Sequence, residues 1–127
     1  MPIKFKVVEK GQPGVVGGGE KKFYASMVNS GEMSLEQLTT AIEKISTVSG
    51  ADIRAVLYAM VDVAMENLSN GQIVRFGDLG SFRMTLSSEG RSTEPEVNAG
   101  TIKKASVIFT PGTRIKSMLA GVKFQKA

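Results

Sequence analysis

The stretches that decide the fold of this 127-residue chain are VRFGDLGSF at residues 74–82 and FTPGTRIK at residues 109–116. In the first stretch, the turn-forming sequence at residues 77–80 separates two apolar segments, which predicts a tight turn between two strands. After the turn, Phe82, Met84 and Leu86 alternate with polar residues, so this hairpin has one apolar face and one polar, partly basic face. In the second stretch, a Pro-Gly pair ends a strand before a short helix.

Two helices are predicted before this hairpin. Ser34 is a suitable N-cap for the first, and Gln37 stands where a capping-box partner is expected. The second starts at Ser49 and ends at Asn70-Gly71, a common C-terminal stop. Its apolar residues surround nearly the whole helix, and one short helix with a small sheet cannot bury all of them. We therefore expect a homodimer, the alternative being that the N-terminal strands cover the additional face.

The N-terminal residues predict an additional β-hairpin. Residues 3–9 begin with strict alternation of apolar residues and lysines, which is typical of a half-buried strand. Residues 21–28 predict a second, weaker strand, and residues 11–19, with five Gly and one Pro, predict the connecting loop. We accordingly divide the chain into an N-terminal hairpin extension, residues 1–30, and a second domain, residues 31–127.

Residues 87–101 predict a projecting arm. Only Val97 and Ala99 are apolar in this stretch, so it cannot pack into a core. Strand-like sequence resumes at Ile102 and continues to Phe109, which makes the arm an insertion between two strands of one sheet. After the short helix, residues 122–125 predict a last strand.

Together, these elements and the two stretches quoted above resemble the HU/IHF family of bacterial nucleoid DNA-binding proteins over residues 33–119. The motifs of that family are close to Gly-Phe-Gly-Thr-Phe at the turn and Phe-x-x-Gly-x-x-Leu-Lys at the return. The N-terminal strands and glycine loop resemble those of extended HU-like proteins of the Bacteroidetes type. The resemblance implies an α+β fold and an intertwined homodimer, with two helices below an antiparallel β-saddle. It also implies two arms that reach into the minor groove of duplex DNA, with Pro95 where the family has a wedge proline.

Three departures from the family pattern affect these expectations. Asp78 replaces the first turn glycine, which we attribute to the tolerance of Asp for a left-handed backbone. Leu79 replaces a phenylalanine and stays apolar. Family arms carry many Arg and Lys residues, whereas this arm has Arg91 alone against three glutamates, Glu89, Glu94 and Glu96. These carboxylates oppose a close approach of the arm tip to phosphates.

The charge distribution points to a polyanion partner for the second half. Residues 1–70 hold seven basic and eight acidic residues, whereas residues 71–127 hold nine basic and four acidic residues. We expect the contacts to duplex DNA to come from Arg75, Arg83, Arg91, Pro95, Lys103, Lys104, Arg114 and Lys116. Each of the basic side chains is alternatively a solvated surface charge, and Arg75 alternatively pairs with Asp78. Since none of them is an obvious base reader, the expected binding is only weakly sequence-specific.

The composition argues against an enzyme. The chain has no His and no Cys, which removes the usual general base, the commonest metal ligands and thiolate chemistry. We expect no cofactor, no metal and no small-molecule substrate. We also expect no membrane contact and a cytoplasmic location, since neither a secretory signal nor a long apolar run is present. The resemblance implies that this location is the bacterial nucleoid. The alternative function is an HU-like dimeric protein-interaction module with little DNA affinity, which the acidic arm favours.

Overall fold

The computed structural model describes residues 2–12 and 14–127. These residues form a mixed α+β fold with three helices and two small sheets. The elements in chain order are β1 (Ile3–Lys10), β2 (Lys22–Met27), α1 (Leu35–Ile45), α2 (Gly50–Ser69), β3 (Val74–Arg75), β4 (Gly80–Ser88), β5 (Ile102–Pro111), α3 (Thr113–Ala120) and β6 (Phe124–Lys126). The predicted α+β class and element order are therefore confirmed. No helix among the described residues is both long enough and apolar enough to cross a membrane.

The chain divides into two compact units. The terminal unit comprises the residues up to Ser34 together with residues 118–127, and the central unit comprises residues 35–117. The terminal unit holds a sheet of strand order β2-β1-β6. β1 and β2 form the expected antiparallel hairpin, with Phe5 opposite Met27.

The last strand, β6, pairs in parallel with β1, placing Ile3 opposite Phe124. Sequence analysis assigned residues 122–125 to the second domain and gave the strand no partner. The structure places it in the terminal unit instead. Such a pairing joins strands more than a hundred residues apart, so no local sequence pattern specifies it.

Both long helices of the central unit begin at the residues that their sequence indicates, and α2 also ends there. α1 begins directly after Ser34. At the start of α2, the Asp52 amide donates a hydrogen bond to the Ser49 hydroxyl at 3.3 Å, which satisfies one of the free N–H groups of the first turn. The helix stops before Gly71, whose φ of 81° favours glycine. Among the described residues, Ile53 of α2 is the only large apolar side chain that is fully buried.

The central sheet has strand order β3-β4-β5 and is entirely antiparallel. Phe82 of β4 lies opposite Phe109 of β5, and their ring centroids are 5.0 Å apart. Phe76 meets Phe82 edge to face at 5.5 Å. These three phenylalanines belong to the turn and return motifs, so the motifs supply an aromatic cluster on one face of the sheet.

The turn and the return also interlock through their backbones. Residues Gly77–Leu79 form a short 3-10 turn, and the amide of Gly112 donates a hydrogen bond to the Leu79 carbonyl at 3.0 Å. A Cβ on Gly112 would lie 2.7 Å from the Asp78 carbonyl carbon, so only glycine fits. The expectation of a left-handed backbone at Asp78 is wrong, because no described residue other than glycine has a positive φ. Position 78 therefore does not require glycine, whereas Gly77 of the same turn has a φ of 65°, which favours glycine.

The arm is an exposed hairpin extension closed at its base. Glu89 donates its amide proton to the carbonyl of Thr101, and the Thr101 hydroxyl lies 3.3 Å from that of Ser88. Thr101 is 3% exposed, whereas every described residue from 89 to 100 is exposed. Of two 3-10 turns in the arm, Glu94–Glu96 lies towards the tip and Ala99–Thr101 leads back into the base.

Candidate nucleic-acid interface

The polar face of the central sheet carries three cations on three different strands. Arg75 of β3 lies opposite Ser81, and Arg83 is two residues further along β4 on the same face. Lys104 of β5 lies opposite Ser87, which continues the same alternation. Because side chains two apart on a strand share a face, and directly paired residues do too, the sheet brings these three cations to one surface.

Hydroxyl groups accompany the cations on this surface, which we call the basic strand face. The register adds Ser106 opposite Thr85, and Thr110 opposite Ser81. Sequence analysis noted the polar residues that alternate with Phe82, Met84 and Leu86, but it did not identify Ser106 and Thr110. Ile108, which lies opposite Arg83, interrupts the alternation of β5, so only the register shows which face Ser106 and Thr110 join. Hydroxyls and cations are the groups that commonly contact phosphate oxygens.

The cations of the basic strand face are not neutralised by carboxylates. The single ion pair in the described part of the chain joins Arg91 to Glu89, so the alternative pairing of Arg75 with Asp78 is not formed. Arg75, Arg83 and Lys104 are all exposed. A surface with three unpaired cations and no opposing charge is suited to an extended polyanion.

Lys103 occupies an irregular position next to this face. The ladder runs from Ser87 opposite Lys104 to Ser88 opposite Ile102, which leaves Lys103 as the additional residue of a β-bulge. A bulge redirects its side chain relative to the regular pleat. Lys103 is exposed and adjoins the base of the arm.

The short helix α3 carries two further predicted cations, but on different sides. Arg114 and Lys116 are two residues apart on an α-helix, which separates their directions by roughly 200° around the axis. Both are exposed. The structure therefore does not bring this pair together, and at most one of them extends a single surface.

The predicted arm residues lie among carboxylates. Arg91 donates to the Glu89 carboxylate at 2.6 Å and to the Gly90 carbonyl at 3.0 Å. Pro95 stands in the 3-10 turn between Glu94 and Glu96. The one cation of the arm is thus engaged within the arm, and its proline is flanked by negative charge on both sides.

The described residues hold no candidate metal site. No group of three or more His, Cys, Asp or Glu side chains lies close enough together to hold a metal ion.

A family model described as an HU domain fused to a wHTH, Ig or glycine-rich motif matches residues 1–126. The match includes the terminal unit as well as the central one. None of the curated proteins matches the chain.

The fold is similar to the solved structure of a candidate bacterial DNA-binding protein from Bacteroides vulgatus. The TM-score is 0.67 at 17% sequence identity, and the match covers 98% of this chain and 47% of that one. The chain thus spans about half the length of its structural neighbour. At this identity the likeness concerns the fold alone.

Proposed function

The chain belongs to the family of HU domains fused to winged helix-turn-helix, Ig or glycine-rich motifs, and from this premise we propose that it is a non-enzymatic, architectural DNA-binding protein. It binds duplex DNA as a homodimer and with weak sequence specificity, in the cytoplasm at the bacterial nucleoid. Family membership confirms the resemblance first drawn from the turn and return motifs. No small-molecule substrate or cofactor enters this function.

The basic strand face is the observation that carries the proposal. Its three cations, Arg75, Arg83 and Lys104, are exposed and unpaired, and they stand on a rigid antiparallel sheet. Lys103 adds a fourth positive charge at the adjacent bulge. Contacts from these groups to phosphate oxygens provide affinity without reading sequence, and none of the four is an obvious base reader.

The exposed apolar surface of α2 supports the homodimer. Successive residues of a helix are about 100° apart, so the apolar side chains of α2 fall on two opposite sides. The exposed ones are Val56, Met60 and Val63 on one side and Tyr58, Val61 and Met65 on the other. In the single chain, Ile53 is the only buried large apolar side chain among the described residues. A domain of this size needs a larger core.

The apolar face of the central sheet is also exposed in the single chain, which supports the homodimer as well. Met84, Leu86 and Val107 lie on its apolar face, opposite the basic strand face, and all three remain exposed in the single chain. A second copy of the chain supplies matching helix and sheet surfaces through two-fold symmetry, which buries both apolar regions at once. The basic strand face stays free for DNA.

The arm has a secondary role in this proposal. Three glutamates and an internally paired Arg91 give it net negative charge, so close approach to phosphates is unfavourable. We assign most of the DNA-binding free energy to the basic strand face and little of it to the arm. Deep insertion of Pro95 between base steps is therefore not part of the function that we propose.

The acidic arm favours a second candidate function, an HU-like dimer that binds protein and has little DNA affinity. Chromatography on heparin or immobilised DNA separates the two. Retention at moderate salt supports DNA binding, and passage through the column at low salt supports the interaction module.

A salt titration of binding to duplex DNA tests the proposal quantitatively. If a dimer neutralises roughly 4–8 phosphates, the log–log slope of affinity against salt is about −4 to −7. Binding to several unrelated duplexes with similar affinity supports weak specificity. A slope near zero, or no binding at low salt, contradicts the proposal.

A further inference from the structure

The terminal sheet carries a second basic surface that the net charge of residues 1–70 conceals. Lys4, Lys6 and Lys10 alternate along β1 with the apolar residues, and Lys10 lies directly opposite Lys22 of β2. Since paired residues and residues two apart share a face, the four lysines lie on one side of the sheet. We call this side the lysine face. All four side chains are exposed.

The other side chains of the lysine face suit the same ligand. Tyr24 lies opposite Val8, Ser26 opposite Lys6 and Gln125 opposite Lys4. Tyrosine, serine and glutamine side chains donate hydrogen bonds to phosphate oxygens, as lysine does. Val8 is the one apolar residue among the side chains that the strand registers place on this face.

Acidic residues are excluded from the lysine face. Glu9 is the only carboxylate side chain in the three strands, and it lies opposite Phe23 on the other, largely apolar face. None of the four lysines forms an ion pair in the described part of the chain. The charge of this face is therefore uncompensated, although residues 1–70 as a whole hold one more acidic than basic residue.

Protection of a sheet edge accounts for only part of this arrangement. Lysines commonly protect edge strands against unwanted pairing, and Lys22 on the edge strand β2 fits that role. Lys6 and Lys10 lie beyond the last β1–β6 pair, so the same role fits them, whereas Lys4 stands where β6 pairs with β1 and no such protection is needed. Moreover, like charges placed directly opposite each other, as Lys10 and Lys22 are, destabilise a strand pair. A bound polyanion removes that repulsion.

We propose that the lysine face binds the sugar-phosphate backbone of duplex DNA, as a contact surface separate from the basic strand face of the central unit. The inference rests on the DNA-binding function proposed above and extends it to the terminal unit. Charge complementarity selects the ligand, since a row of lysines and neutral donors without carboxylates matches a row of phosphates. The contacts carry no base information.

The test measures duplex DNA binding by fluorescence anisotropy over a range of salt concentrations. The test variant combines Lys4→Gln, Lys6→Gln, Lys10→Gln and Lys22→Gln. At about 0.1 M salt we expect affinity to fall at least tenfold, and the salt slope to lose about 0.9 for each phosphate contact removed. Thermal unfolding of the variant verifies that the fold persists.

The matched control removes the same number of charges away from the lysine face. It combines Lys21→Gln, Lys44→Gln, Lys123→Gln and Lys126→Gln, so both variants have the same net charge. Affinity of the control within about threefold of the parent, together with the loss in the test variant, supports a specific face rather than overall charge. Equal affinity of the two variants overturns the inference.

A second comparison separates this inference from the proposed function. In the Lys103→Glu/Lys104→Glu background, we expect residual DNA binding that the four lysine-face substitutions then abolish. If that background loses all binding while the lysine-face variant binds like the control, the inference fails and the proposed function stands. If the parent does not bind DNA at low salt, both fail. Equal DNA binding by parent and lysine-face variant, with only the parent retained on anionic lipid vesicles, also overturns the inference and assigns the face to a lipid surface.

Discussion

Gly112 donates its backbone N–H to the carbonyl oxygen of Leu79 at 3.0 Å, and this bond joins the two sequence motifs of the central unit. The approach is so close that a Cβ on residue 112 would lie 2.8 Å from the Gly80 nitrogen and 2.7 Å from the Asp78 carbonyl carbon. The glycine of the return motif is therefore required by the backbone of the turn. This contact fixes where β5 ends and α3 begins relative to the turn.

Gly112→Ala is expected to destabilise the fold by about 1–3 kcal/mol, because the added methyl group forces backbone atoms apart. Gly90→Ala in the arm is the matched control, since a Cβ there meets nothing within 4 Å and the residue has no positive φ. Urea unfolding of both variants measures the difference. Equal midpoints for the two variants would show that the turn and return do not interlock.

Val61→Asp is expected to prevent folding rather than to yield a folded monomer. Val61 is 48% exposed in the single chain, but the proposed dimer buries it, and an unpaired carboxylate there costs several kcal/mol. Circular dichroism and sedimentation report the outcome, the parent sedimenting at about twice the chain mass of 13.6 kDa. Val16→Asp is the control, because Val16 is fully exposed. A folded parent monomer at micromolar concentration contradicts the dimer.

Lys103→Glu combined with Lys104→Glu is expected to weaken binding to all duplex sequences alike, by at least tenfold at low salt. Phosphate contacts carry no base information, so relative affinities among sequences stay unchanged. Competition assays with unrelated duplexes measure this. Lys123→Glu with Lys126→Glu changes net charge equally and should have a much smaller effect. Parent-like affinity of the first double variant would place the site elsewhere.

Pro95→Ala is expected to change affinity by less than about threefold. Glu94 and Glu96 flank the proline and repel phosphates, so little binding free energy depends on its insertion. Anisotropy titration of this variant beside the parent provides the measurement. Complete loss of binding would instead make the arm the principal contact.

Amide hydrogen exchange of the free protein is expected to be fast through most of residues 87–101, because this stretch buries almost nothing. The base of the arm is the exception. The amides of Glu89 and Thr101 are hydrogen-bonded, and Thr101 is 3% exposed, so they should exchange more slowly than residues 90–93. Uniform strong protection would show that the arm packs against another surface.

Much of the fold was predictable because its signals are local. The N-cap at Ser49, the glycine stop at residue 71 and the alternation around Phe82 each depend on a few neighbouring residues. Asp78 shows the limit of this reasoning. The substitution itself was correctly recognised as tolerable, but the backbone conformation at that position was not evident from the residue type.

The candidate interface was predictable in part. The sequence identified Arg75, Arg83 and Lys104 as candidates, but strand register was needed to show that they share a face. Arg91 was equally plausible as a free cation until its pairing with Glu89 was seen. A residue type indicates which interaction is possible, whereas the neighbouring side chains decide whether it is already engaged.

By itself, the sequence determined the elements and the family, since helix caps, turn glycines and strand alternation act over a few residues. The tertiary structure alone decided which distant strands pair. It joined β6 to β1, and it set Lys10 against Lys22 across the loop of the terminal hairpin. Register depends on the pairing of whole strands rather than on any one residue, so the lysine face emerges only when the strands are side by side.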